Sequence, residues 1–189
     1  MIWSSDDIKG AFYLFTLPKC WRPFMTFSKP VRWRALGIDK DGVTYLAVCV
    51  VPMGWASAVA LFQHLHRRMG ITRSLPDGRE LRRDRPLPMR YVSGEQSWVQ
   101  IFLDDFDAPR ILEKENLQTE LDRPAPLQLA QHREADKAGV HYSLKQRVRG
   151  QLVVQRLGAL VDGEVGRISA PEDAIIGCAY FVCPGRVLG

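Results

Sequence analysis

Apolar residues fall in short runs along this chain, each closed by a turn cluster or a change of charge. Residues 8–17 are apolar and aromatic and end at Pro18, which predicts a strand running into a turn or short helix. Residues 23–27 form a second short apolar stretch, and 37–42 (GIDKDG) a turn cluster. The run at 43–51 (VTYLAVCVV) is β-branched, too short for a core helix and suited to a buried strand. Pro52 and Gly54 stop it. Residues 56–69 then predict a helix, with Ser57 near its start and Gly70 ending it. Residues 99–103 are a short apolar strand that runs into the pair Asp104-Asp105, followed by Phe106-Asp107.

Residues 72–97 break the pattern. They are rich in arginine and carry Pro76, Asp77-Gly78, Pro86 and Pro88, which predicts a basic loop or β-ribbon insertion. Residues 109–126 are charged and read as irregular or partly helical. Residues 127–138 predict a helix before Gly139, and 140–145 a short extended piece. Residues 153–168 predict a hairpin with Asp162-Gly163 as its turn. No functional signal follows Pro171.

The chain has 189 residues, enough for one domain with a sizeable core. Its hydrophobic fraction is 46% and its mean hydropathy −0.15, as in a soluble globular protein. Net charge is +5, a balance that suits a polyanionic partner. Cys20, Cys49, Cys178 and Cys183 have no zinc-ligand spacing, and those in apolar runs are expected to be small core residues. The first residues lack the basic and apolar regions of a signal peptide, and no apolar run approaches the ~20 residues of a membrane span. An intracellular protein, away from membranes, is expected.

Two adjacent carboxylates at the tip of a half-buried strand repel each other and lose hydration, a cost that a divalent cation cancels. Mg²⁺ is commonly held by one or two carboxylates plus substrate phosphates. Two further motifs precede this pair: Asp7-Ile8-Lys9-Gly10-Ala11-Phe12-Tyr13, and Val51-Pro52-Met53-Gly54-Trp55 leading to Leu61-Phe62-Gln63. Together and in this order the three resemble the palm domain of reverse transcriptases. In that family an acid is followed four and five positions later by a small residue and an aromatic. A Pro-x-Gly helix ending in Phe-Gln comes next, and then an aromatic-x-Asp-Asp hairpin.

The resemblance implies an α/β (α+β) palm, in which an antiparallel sheet carries the catalytic hairpin and is backed by helices. It implies RNA-directed DNA polymerisation with two Mg²⁺ (or Mn²⁺) ions, a primed RNA or DNA template and deoxynucleoside triphosphates. Asp7 and Asp104 would bridge the metals, Asp105 would support them, and Asp6 would face the other way by strand alternation. Asp107 reads as an ordinary turn acid. Phe12, beside Ala11, would fill the space that a ribose 2′-hydroxyl needs and so gate for deoxynucleotides. Gly54 and Trp55 would lie beneath the templating base and nucleotide. Met53 stands where the family often has a polar residue, and Gln63 would touch template or neighbouring backbone. Lys145 would protonate the leaving pyrophosphate. Leu157-Gly158 would contact the primer, and Arg73, Arg79, Arg82 and Arg83 would contact nucleic acid.

The resemblance covers residues 6–168, leaving 169–189 as a tail. The fingers region that reverse transcriptases carry ahead of the palm has no counterpart before Asp7, so a fragment of a retroelement enzyme, weak alone, is expected. A catalytically dead remnant that only binds nucleic acid is the alternative, followed by an RNA-directed RNA polymerase palm, against which Phe12 argues.

Overall fold

The computed structural model describes residues 1–70, 79–82, 84–85 and 96–171. In chain order the elements are β1 (Ile2–Asp7), α1 (Ala11–Leu14), β2 (Val31–Arg32), β3 (Val43–Thr44), α2 (Ala58–Gly70), β4 (Gln96–Ser97), β5 (Gln100–Phe102), β6 (Asp105–Ile111), α3 (Lys114–Glu120) and α4 (Pro126–Lys137). Four short strands follow: β7 (Val148–Gln151), β8 (Val153–Arg156), β9 (Ala159–Asp162) and β10 (Arg167–Ser169). The fold is α+β with antiparallel sheets, as the sequence predicts.

The main sheet runs β4-β6-β1-β7, with β5 also paired to β6. Its centre is the antiparallel pair β1–β6, from Ile2 opposite Arg110 to Asp7 opposite Asp105. Strand alternation gives the two faces different jobs. Phe106 and Ala108 of β6 and Ile101 of β5 point into the core, where Phe62 of α2 and Ala130 and Ala135 of α4 meet them. The alanines are small enough for α4 to lie close to the sheet. Asp7, Asp105 and Asp107 lie on the opposite face, where Arg156 of β8 meets Asp105 and Asp107.

β1 begins and ends earlier than predicted. The apolar stretch at 8–17 is not a strand: Ile8 makes a single bridge to Tyr142, Gly10 turns left-handed (φ 62°) and α1 follows. The real strand is disguised by polarity, because Ser4, Ser5 and Asp6 are fully buried within it. The predicted buried strand at 43–51 is also overturned. Only Val43–Thr44 pairs, with β2, and beyond it Ala47 and Val50 make isolated bridges to Thr26 and Thr16. Val43 and Tyr45 are more than half exposed and Cys49 is exposed, so that cysteine is not a core residue. A β-branched run favours extended backbone, but among the described residues no long neighbouring strand lies beside this one to complete a ladder.

Helices at 58–70 and 126–137 agree with the predicted ones to within two residues at each end. Gly70, however, is the last helical residue rather than a turn beyond it, and a Cβ there would collide with the buried Gln131 amide of α4. The stretch at 109–126 is more regular than expected. Pro109 continues β6, α3 follows, and buried Arg110 pairs with Glu120 at 2.7 Å. The predicted hairpin at 153–168 is instead the three-stranded sheet β8-β9-β10. Its tight turn is Leu157-Gly158, both at positive φ (49° and 77°), whereas Asp162-Gly163 opens a longer turn. Most of the arginine-rich stretch at 72–97, and the tail from 172, lie outside the described residues. The described part of the former bonds to the sheet: Leu81 N–H donates to Val99 O at 2.6 Å, and Val99 N–H to Arg79 O at 3.0 Å.

Gly150 of β7 fixes how the sheet meets the turn after α3. Its φ is +49°, and an added Cβ would strike the Glu120 carbonyl. Gly150→Ala should therefore cost about 2 kcal/mol or more, since neither backbone can yield without strain. Chemical denaturation measures this, and an unchanged midpoint would contradict the packing.

Candidate active site

The β5–β6 turn is Leu103-Asp104, with Leu103 held at φ 55°. The turn closes against the end of β1, where Asp7 sits directly opposite Asp105 and Ile8 N–H donates to Asp104 O at 2.9 Å. On the other side of β1, Ser143 N–H donates to Asp7 O at 2.7 Å and Lys9 N–H to His141 O at 2.9 Å. The backbone at Asp7 is thus fixed from both flanks, and three carboxylates gather at one corner of the sheet.

They pay an electrostatic penalty for this. Asp7 has its pKa raised from 3.8 to about 6, first by burial and then by the charges of Asp104 and Asp105, with Arg156 opposing. Asp104 is also raised, by burial more than by Asp105. Among the described residues no set of three or more His, Cys, Asp or Glu side chains is gathered closely enough to hold a metal alone. Mg²⁺ does not need such a cage: one or two carboxylates and the oxygens of a substrate suffice, and carboxylate donors are of the right chemistry for it.

Helix α2 holds the turn from behind. Gln63 donates to Ile101 O at 2.6 Å and accepts from Leu103 N–H at 2.8 Å. Of the two sequence expectations for Gln63, template or neighbouring backbone, the structure gives backbone. One helical turn on, His66 Nδ1 lies 2.7 Å from Leu103 O. A carbonyl can only accept, so Nδ1 carries the proton. His66 Nε2 then accepts from the Tyr142 hydroxyl at 3.4 Å, whose oxygen accepts from Gln131 Nε2 at 2.9 Å. Burial lowers the His66 pKa to about 4, so the ring is neutral near pH 7 and the chain of donors is fixed.

Arg156, at the end of β8, faces the carboxylates from the other side. Its NH2 lies 2.5 Å from Asp105 Oδ1 and its Nε 2.9 Å from Asp107 Oδ1. Asp107 is not the turn acid that the sequence reading made it. It is fully buried inside β6, also accepts from Trp3 Nε1 at 2.9 Å, and is raised in pKa chiefly by burial. Asp6 does face the other way, as alternation requires. It is buried and met by His132 Nε2 at 2.6 Å and by Arg147 and Arg149 at 3.3 Å.

The remaining sequence candidates are spread around this corner. Ala11 is buried and Phe12 partly so, its ring 4.3 Å from that of Phe62. Both sit on α1, four and five residues beyond Asp7. Gly54 (φ 91°) turns the chain ahead of α2, Trp55 packs edge-on against Trp21, and the Met53 side chain is 75% exposed. Lys145 is exposed in the turn after the segment that bonds to Asp7. Leu157-Gly158 is the turn that follows Arg156. Arg79 and Arg82 are exposed, with Arg82 Nε 3.4 Å from Glu80, while Arg73 and Arg83 lie outside the described residues. Arg156 and His66 were missed from sequence. The spacing of Asp105 and Asp107, two apart on one strand face, was the signal that a cation was needed.

No protein-family model matches this chain, and no curated protein sequence does. Solved structures do. The foamy viral protease–reverse transcriptase dRH in complex with double-stranded DNA matches with a TM-score of 0.56 at 13% identity over 91% of this chain. The foamy viral protease–reverse transcriptase with double-stranded DNA gives 0.56 at 14% over 91%, and with an RNA/DNA hybrid 0.54 at 15% over 96%. The chain spans between 21% and 27% of the length of those proteins. At such identity the likeness is one of fold.

The raised pKa of Asp7 has a sign that can be tested. In the unfolded chain Asp7 ionises near 3.8 and in the folded protein near 6, so its contribution favours folding at low pH and is lost as pH rises through about 6. Asp7→Asn should therefore raise the melting temperature relative to the parent at pH 7.5, and the gain should vanish near pH 4. A gain independent of pH would contradict the assignment.

Proposed function

We propose that this chain supplies the palm of an RNA-directed DNA polymerase of the reverse-transcriptase kind. It would act on a primed RNA or DNA template with deoxynucleoside triphosphates. The observation that carries the reading is the meeting of Asp7 with the Asp104-Asp105 turn on paired strands, in a fold similar to that of reverse-transcriptase chains. The chain has no helix, among its described residues, long and apolar enough to cross a membrane. Its net charge of +5 suits a nucleic-acid partner.

Asp7 and Asp104 are the residues that would hold Mg²⁺ or Mn²⁺, with Asp105 beside them and paired to Arg156. A metal pair, when bound, supplies charge stabilisation for the attacking and leaving oxygens of an in-line phosphoryl displacement. Gln63 and His66 contribute by fixing the turn that carries Asp104, since a carboxylate held by its backbone loses little on meeting its partner. Phe12 presents a ring with no hydrogen-bonding group, so a ribose 2′-hydroxyl pressed against it would lose its hydration without replacement. Its packing on Phe62 holds the ring in place for this role. The bond between Ser143 and Asp7, two residues before Lys145, supports a role for Lys145 as proton donor to pyrophosphate. Leu157-Gly158 and the exposed Arg79 and Arg82 offer contacts to the primer–template.

Primer extension tests this on the palm joined to the fingers region of a related reverse transcriptase. Asp104→Asn should abolish divalent-dependent DNA synthesis, by roughly 10³-fold or more, while leaving the fold intact. Phe12→Ala should retain synthesis and admit ribonucleotides. Full synthesis by Asp104→Asn would contradict the metal role, and continued ribonucleotide exclusion by Phe12→Ala would contradict the gate.

A further inference from the structure

Two negatively charged residues on one strand face, Asp105 and Asp107, share a single guanidinium. Arg156 has a side chain 14% exposed, and it comes from a different sheet, β8-β9-β10. It is the residue immediately before the Leu157-Gly158 turn. Its two contacts use different nitrogens, NH2 to Asp105 and Nε to Asp107, so its plane is fixed along β6. Asp107 is fully buried and bonded to Trp3 as well, which makes it the anchor, while Asp105 lies at the edge beside Asp7.

We propose that Arg156 is a positioning residue: an internal cation that reserves Asp105, leaves Asp7 and Asp104 as the pair open to a divalent metal, and ties the Leu157-Gly158 turn to that pair. The inference rests on the metal-binding reading above and adds a residue to it. The physical reason is charge balance. Three carboxylates at one corner attract a divalent ion more strongly than two, and a tightly held ion exchanges slowly with its substrate-bound form. A fixed guanidinium on the third carboxylate lowers the attraction and converts that carboxylate into a structural link. Because the link ends one residue before the turn, the site's charge and the turn's position become properties of one side chain. A lysine could restore the charge but not both directed bonds.

Binding of Mn²⁺ to the intact chain, followed by electron paramagnetic resonance, tests this without catalysis. The four proteins of a double-mutant cycle are the parent, Arg156→Gln, Asp105→Asn and the double variant. Arg156→Gln should tighten Mn²⁺ binding by roughly 3–10-fold, because a repelling charge is lost and Asp105 is released. Asp105→Asn should then weaken binding at least fivefold more in the Arg156→Gln background than in the parent. Arg156→Lys should stay within about twofold of the parent in Mn²⁺ affinity, yet speed hydrogen exchange at β8 and β9, which only the loss of directed bonds would do. Should Arg156→Gln fail to fold because buried Asp107 is left with no cation beside it, Arg156→Gln with Asp107→Asn serves in its place. Equal cost of Asp105→Asn in both backgrounds, or unchanged affinity in Arg156→Gln, overturns this inference while the metal reading stands. Absence of Mn²⁺ binding by the parent, or binding indifferent to Asp7→Asn and Asp104→Asn, overturns both.

Discussion

The antiparallel pairing of β1 with β6 is the constraint on which the rest of the molecule depends. Its register puts Asp7 opposite Asp105 and Asp6 opposite Phe106. A slip of one residue would exchange the faces, sending Asp7 into the core and Asp6 into the open. The register is held by what lies on each side. Phe106 and Ala108 need the helices, Asp6 needs His132, Arg147 and Arg149, and Asp107 needs Trp3 and Arg156. Each of these would be lost together on a slip, so the carboxylate corner inherits its geometry from the whole sheet.

That corner is a destabilising feature inside a stabilising frame. Burial, and after it the like charges of Asp104 and Asp105, raise the Asp7 pKa, and Arg156 opposes them only in part. The surrounding bonds are arranged against the resulting strain. Gln63 and His66 grip the Leu103 backbone from the helix side, and Ser143 grips Asp7 from the β7 side. Such an arrangement is expected where a site keeps repelling groups together for a ligand's sake and the scaffold is stiff enough to hold them. The Gln131–Tyr142–His66 chain extends the grip into α4, so both helices that cover the sheet also brace its turn.

Much of the site was legible in the sequence because its signals are local. The acid pair at the end of an apolar run marked a turn with two carboxylates, and strand alternation, with the spacing to Ala11 and Phe12, separated Asp6 from Asp7. The helices at 58–70 and 126–137 carried ordinary periodic and stop signals. What escaped was set by distant partners. The strand Ile2–Asp7 hides because its buried Ser4 and Asp6 are met by residues more than a hundred positions away. The run at 43–51 misled because strand propensity says nothing about whether a neighbour is present to pair with. Arg156 looked like any basic residue of a short hairpin until the fold laid it across Asp105 and Asp107.

The central claim is that a divalent cation binds at the corner formed by Asp7 and the Leu103-Asp104 turn. Amide NMR spectra of the chain recorded with substoichiometric Mn²⁺ test it most directly, since paramagnetic broadening reports distance from the ion rather than activity. The account predicts that the amides of Ile8, Asp104 and Asp105 broaden first and that Asp7→Asn abolishes the effect. Broadening centred instead on the acidic turn at Asp39 and Asp41, or unaltered by Asp7→Asn, would contradict it.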